Sequence, residues 1–286
     1  NDVKIPGRLD STAVFLWTDH GVSHLRGKQF LYEEGIRVPM IIRLPRMQHA
    51  GTVRDDLIEH IDIAACSLNL AGIKVPDNIQ GRDFLSADYK SRRFIFAGRD
   101  RCDETVDIQR CVRDSRYKYI RNFMSHVSHA QPSQYKDGKK ILQVIRGLHK
   151  QGKLNEQQAR PFAPRRPPEE LYDLDSDPYE LVNLAWEPKH QKKLLAMRKA
   201  LFQQMAKTRD VGLIPEPILE NLGREAGNKY KVFLDNDHSD QTRRLIDVIT
   251  SGEANNVAKL LEYILSLIHI SEPTRPRLIS YAVFCL

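Results

Sequence analysis

Asp19 and His20 stand side by side at the end of an apolar run, Val14-Phe15-Leu16-Trp17, and Gly21 follows them directly. In open α/β sheets, ligands gather beyond the carboxyl ends of strands. A carboxylate and an imidazole placed there can share a divalent cation. Carboxylate oxygen suits a hard ion such as calcium, and a histidine ligand moves the preference toward manganese or zinc without excluding calcium. Alone, an Asp-His dipeptide reads as an ordinary turn. Its neighbours give it weight: His24 lies in the same loop, where an imidazole could serve substrate contact or acid–base work, and Gly27-Lys28 and Tyr32-Glu33-Glu34-Gly35-Ile36-Arg37 follow.

These residues need elements to hold them. Residues 12–17 read as a buried central strand whose covering neighbours would lie upstream of Asn1. Pro39-Met40-Ile41-Ile42 reads as a second buried strand. Between Leu57 and Ala71 the apolar positions recur at helical spacing, with Gly72 at the end. This alternation implies an α/β layer architecture. From about Asp88 the pattern changes to short strands at Arg93–Phe96, Ile108–Val112 and Tyr117–Ile120, with a tight turn at Asp114-Ser115, which together predict a small antiparallel sheet. Helices follow at Lys139–Lys150 and Asn155–Arg160. Pro161–Pro168 must be extended. A strand at Leu171–Leu174 and a helix from Pro188 to Lys207 complete this part. Arg99-Asp100-Arg101 with Asp103-Glu104 reads as a charged loop between two strands, either facing a substrate or forming a solvated turn of ion pairs. His126 and His129 read as surface histidines.

With 41% hydrophobic and 28% charged residues in a chain of 286, the composition is that of a globular protein with a real core. The formal charge of +7 is spread along the chain, with no zinc-finger, RNP or helix-turn-helix pattern. We therefore expect no nucleic-acid partner and some attraction for anionic substrates. No membrane span is expected. The four cysteines, at 66, 102, 111 and 285, form no CxxC pair, and only a Cys102–Cys111 bridge across a hairpin is conceivable.

Three longer stretches carry a resemblance. TDHGVSHLRGKQFLYEEGIRVPMII resembles the second conserved signature of the sulfatase family. HIDIAACSLNLAGIKVPDNIQGRDFL resembles the helix and loop that follow it, and ELYDLDSDPYELVNLA resembles the family's near-C-terminal segment. The resemblance runs in order from about residue 12 to about 205. It implies the C-terminal part of an alkaline-phosphatase-like sulfatase domain plus a small antiparallel-sheet α+β subdomain. It also implies a divalent metal that holds the sulfate oxygens, calcium first, with Asp19 matching a metal-binding aspartate and His20 standing where many sulfatases have Asn. Lys28 matches the lysine that contacts sulfate, where an ammonium would neutralise charge on the ester and leaving oxygen. Glu33, Glu34 and Arg37 would pair within the loop and orient Lys28. Arg99 and Asp103 fall in a region that faces substrate in related enzymes.

The family's nucleophile is a formylglycine made from Cys or Ser in a C/S-x-P/A-x-R motif. Cys66, Cys102 and Cys111 do not begin such a motif, so the nucleophile is expected upstream and this chain alone is expected to be inactive. The implied function is metal-assisted hydrolysis of sulfate esters or sulfamates, on a sulfated carbohydrate, in a periplasmic or secreted protein. Two alternatives stand beside it: a phosphodiester or phosphonate monoester hydrolase of the same superfamily, and a non-catalytic sulfated-glycan binding protein. The expected organisation is the C-terminal part of the sulfatase α/β domain over 1–87, the C-terminal subdomain over 88–210, and over 211–264 either a plain helical extension or the start of a helical repeat, with a helical hairpin at Thr242–Ile264. Residues 265–286 resemble a translated sequencing adapter and are set aside from the fold.

Overall fold

The computed structural model describes residues 8–234. The strands are β1 (Val14–Trp17), β2 (Met40–Arg43), β3 (Ile95–Cys102), β4 (Thr105–Arg113), β5 (Tyr117–Asn122) and β6 (Glu169–Asp173). The helices are α1 (Glu33–Ile36), α2 (Asp62–Leu70), α3 (Gln134–Asp137), α4 (Lys140–Lys150), α5 (Glu156–Ala159), α6 (Gln191–Lys207), α7 (Glu216–Ala226) and α8 (Lys229–Leu234). The fold is mixed α/β with antiparallel sheets. The hairpin expected at 242–264 and the segment 265–286 lie outside the described residues.

The chain divides into two compact units. The first holds the described residues up to Ala97 together with Val112–Lys118 and Asp173–Glu180. The second holds Gly98–Cys111, Tyr119–Tyr172 and the described residues from Leu181 onward.

In the first unit β1 pairs antiparallel with β2, Phe15 opposite Ile42 and Leu16 opposite Ile41. Within this chain β1 and β2 form a two-stranded ribbon, and Leu16 and Ile41 are exposed. α2 starts at Asp62, five residues later than the apolar spacing suggests. The cause is the Asp62 carboxylate, which is fully buried and accepts from Glu59 N at 2.8 Å and Arg82 N at 2.7 Å. Arg92 grips it with both Nη atoms, at 2.5 and 2.6 Å. These bonds hold residues 59–61 in a turn before the helix begins. Gly72, at φ +71°, ends it as expected.

The four-stranded sheet has the order β3-β4-β5-β6. Phe123 N donates to Ile108 O and Asp114 N to Tyr117 O, so β4 and β5 form a hairpin. The Asp114 carboxylate closes it by accepting from the backbone N–H groups of Arg116 and Tyr117. Arg99, Asp100 and Arg101 lie within β3 rather than in a loop, and the turn to β4 is only Asp103-Glu104. Asp103 takes φ +51° there, a conformation that aspartate tolerates better than most residues. In the second unit, α6 buries Leu194, Met197, Leu201 and Met205, spaced to form one helical face. Phe123 meets Phe202 edge-on at 6.3 Å between ring centroids. No cysteine pair forms among the described residues: Cys66, Cys102 and Cys111 are free thiols.

Candidate functional site

The loop between β1 and β2 carries Asp19, His20, His24 and Lys28, and its backbone folds tightly on itself. Gly21 N donates to Gly35 O at 2.9 Å, Lys28 N to Val22 O at 2.7 Å, and Phe30 N to Gly27 O at 2.9 Å. Glycine is required at these crossings. A Cβ on Gly21 would run into the Glu34 carbonyl oxygen, one on Gly27 into that of Val22, and one on Gly35 into those of Phe30 and Gly27. The sequence from Asp19 to Ile36 thus becomes a compact knot, with Asp19 and His20 beside one crossing and Lys28 at the next.

Within the knot, His20 Nδ1 lies 2.8 Å from Gly21 O. A carbonyl can only accept, so Nδ1 carries the proton. His20 Nε2 then faces Asp19 Oδ2 at 3.3 Å. A neutral ring presents a lone pair there, and two acceptors that close repel unless a proton or a cation sits between them. The arrangement matches the habit of metal-ligating histidines, whose second nitrogen donates to a backbone carbonyl. The Asp19 side chain is 84% exposed and that of His20 34%. Asp19 and His20 thus bring a carboxylate oxygen and an imidazole nitrogen together on adjacent residues. Among the described residues no group of three or more His, Cys, Asp or Glu side chains assembles around them.

Lys28 is half-buried and His24 exposed. The residue after Lys28, Gln29, takes φ +82°, in the left-handed region where a side chain is strained. Its amide Nε2 is buried without a hydrogen-bond partner. Nothing in the sequence marks Gln29, because only the backbone shows the strain.

Arg99 and Asp103 separate in character. Arg99 is buried, with Nη1 3.2 Å from Asp107 Oδ2 and Nη2 donating to Thr105 Oγ1 at 3.2 Å. Asp103 is exposed on the β3–β4 turn. A substrate contact by Arg99 would require breaking its pair with the fully buried Asp107. His126 and His129, expected at the surface, are half-buried. His129 is 10% exposed, 3.1 Å from Arg166 Nη1 and 3.9 Å from Glu170, and burial beside Arg166 and Arg165 pushes the His126 imidazole down.

Glu33, expected to pair inside the loop, instead meets Lys118 at 2.7 Å and Arg113 at 3.2 Å. Burial works against its carboxylate, yet Lys118 and Arg113 together outweigh burial and hold it below the ordinary value of 4.5. Glu34 and Arg37 are exposed. Burial and the Asp83 carboxylate push the Cys66 thiol up to about 12. The serine form of the formylglycine pattern does occur once, as Ser271-Glu272-Pro273-Thr274-Arg275, inside the adapter-like segment and outside the described residues.

Residues 21–151 match the family model of N-sulphoglucosamine sulphohydrolase, C-terminal. An ulvan-active sulfatase of Formosa agariphila is 39% identical over 230 residues, which is 80% of this chain and 39% of that protein. An N-acetylglucosamine-6-O-sulfatase of Bacteroides thetaiotaomicron is 38% identical over 79 residues, 26% of this chain and 14% of that one. A multifunctional alkaline phosphatase superfamily protein of Trinickia caryophylli, PehA, is 31% identical over 84 residues, 28% and 16% respectively. This chain therefore spans well under half the length of the curated relatives it matches.

Proposed function

Starting from a chain that belongs to the sulfatase family, we propose that the whole protein hydrolyses sulfate esters or sulfamates of sulfated carbohydrates. The observation that carries this reading is the loop itself. It holds an Asp–His donor pair, with the histidine tautomer fixed by Gly21 O, in the same backbone knot as an ammonium group.

Asp19 and His20 Nε2 would hold the divalent ion, calcium first, with manganese or zinc as alternatives. An ion held there would supply charge withdrawal from the sulfate oxygens, and the formylglycine implied by the family would supply a hydroxyl nucleophile. The chain's own groups do the remaining work. Lys28 faces the oxyanion and stabilises charge as it moves to the leaving oxygen. His24 is the candidate to pass a proton to that oxygen. Asp103, and Arg99 through the β3–β4 turn it braces, are the candidates for sugar recognition. A secreted or periplasmic location completes the proposal. Among the described residues no helix is long and apolar enough to cross a membrane.

The second reading is a phosphodiester or phosphonate monoester hydrolase. It is motivated by His20, which stands where many sulfatases have Asn. Both readings are tested on the full-length protein with matched sulfate and phosphate esters of one sugar series. Sulfate release is expected to exceed phosphate release, to disappear after EDTA dialysis, and to return with Ca²⁺, Mn²⁺ or Zn²⁺. Faster phosphate release would move the assignment to the second reading, and sulfate release untouched by EDTA would remove the metal from it.

A further inference from the structure

Lys118 lies in β5 with no exposed side-chain surface, and its alternation in Tyr117-Lys118-Tyr119-Ile120 gives no hint of a task. Its ammonium is 2.7 Å from Glu33 Oε1 and 3.0 Å from Glu180 Oε1, and it donates to Leu31 O at 3.0 Å. Three oxygens thus lie within 3.0 Å of the ammonium, one as a hydrogen-bond acceptor and two as carboxylate ion-pair partners. Two of those partners, Leu31 and Glu33, belong to the loop that carries Lys28. The third, Glu180, reaches the same loop a second time, because its Oε2 accepts from Glu33 N at 2.7 Å.

The other side of Lys28 is held from the same place. Arg26 donates to Tyr179 O at 3.2 Å and to Glu180 O at 3.0 Å, and its guanidinium lies 3.9 Å over the Tyr32 ring. Residues 179–180 therefore grip the loop at Arg26, two residues before Lys28, and at Glu33, five residues after it. Glu180 is 1% exposed. Burial raises its carboxyl above the ordinary value although Lys118 pulls it back down. Neither it nor Lys118 has surface to offer a substrate.

We propose that Glu180 and Lys118 are positioning residues for Lys28: they fix the 19–36 loop from beneath so that the Lys28 ammonium meets the oxyanion in register. This rests on the reading of Lys28 as the anion-contacting group. A reacting group moved by about 1 Å can lose on the order of 100-fold in rate. Glu180→Ala is therefore expected to lower kcat by about that factor with little change in KM. Glu180→Gln keeps an acceptor for Glu33 N and is expected to recover most of the loss.

The deciding experiment is a double-mutant cycle of Lys28→Ala and Glu180→Ala in the full-length protein. It is read as inorganic sulfate released from a sulfated oligosaccharide that the wild type turns over, per folded molecule. If Glu180 acts through Lys28, the double variant is no slower than Lys28→Ala alone. Effects that multiply would overturn the proposal, since a merely structural role is blind to Lys28. A Lys28→Ala protein as fast as wild type would instead sink the underlying reading of Lys28. If Glu180→Ala does not fold, Arg26→Gln removes the other grip and enters the same cycle with the same two outcomes.

Discussion

In the loop from Asp19 to Ile36, Asp19 and His24 are exposed, His20 and Lys28 are half-buried, and backbone crossings hold the chain in place. Around β4 in the second unit the charged groups are buried and hold one another. Asp107 is fully buried and receives both Arg99 and Arg166, the latter through both Nη atoms. Arg110, 8% exposed, is bound by Asp210 through two bonds and by Asp100 at 2.6 Å. Gly212 leaves the room this needs, because a Cβ there would strike the Arg110 guanidinium. Asp19, by contrast, keeps 84% of its side chain in water. Buried ion pairs of this kind hold a structure in register but add little stability over a well-packed apolar core. The Asp19–His20 pair belongs to no such buried network. Residue type alone does not separate the two uses, since both regions are rich in Arg, Asp and Glu.

The sharpest way to break this comparison is to remove Asp107. Asp107→Ala leaves two buried guanidinium groups without their shared carboxylate. It is expected to destabilise the protein by about 3–5 kcal/mol while leaving kcat per folded molecule unchanged. Urea denaturation together with activity corrected for folded fraction measures both. A large loss of kcat in the folded protein would make the second unit's charges part of the chemistry. Gly35→Ala comes next. The new methyl group would meet the Phe30 and Gly27 carbonyls, so the loop must shift. We expect a loss of about 1–3 kcal/mol by thermal melting, and a larger fractional loss of activity than of stability.

The smallest effect is that of pH. Glu33 and Glu169 are held below the ordinary 4.5, Glu169 because Arg198 and Tyr119 together outweigh its burial. A carboxyl lowered in the folded state contributes stability that is present above its unfolded pKa and lost as pH falls through its folded pKa. Glu180 runs the other way, since its raised carboxyl favours the folded state below 4.5 and that contribution is lost as pH rises through its folded value. The melting temperature is therefore expected to fall as pH drops below about 4.5. Glu33→Gln should flatten that acid limb, and an unchanged limb would show that Lys118 and Arg113 do not hold Glu33 ionised.

Much of this was legible in the sequence, for identifiable reasons. Strands β4 and β5 follow from β-rich runs around an Asp-Ser turn, and α4 and α6 from apolar spacing. The Asp19–Lys28 loop follows from a distinctive run of residue types. What was hidden depends on distance along the chain. α2 starts late because Arg82 and Arg92 reach back to Asp62. Lys118 and Glu180 come together with Glu33 from three separate stretches, and no local pattern announces a triad of that kind. Arg99 looks like a loop arginine until the pairing of β3 with β4 buries it. The strain at Gln29 is a backbone property, invisible in a residue type that carries no turn preference.

The central claim is that the 19–36 loop presents an ammonium to a sulfate ester, and Lys28→Ala tests it most directly. The measurement is inorganic sulfate release from sulfated oligosaccharides by the full-length protein, wild type beside the variant, with thermal melts on both. Removal of one preorganised charge-stabilising donor is expected to lower kcat by about 100- to 1000-fold, with the melting temperature nearly unchanged because Lys28 is half-buried at a loop surface. Equal turnover by the two folded proteins would contradict the account and leave the loop a structural feature.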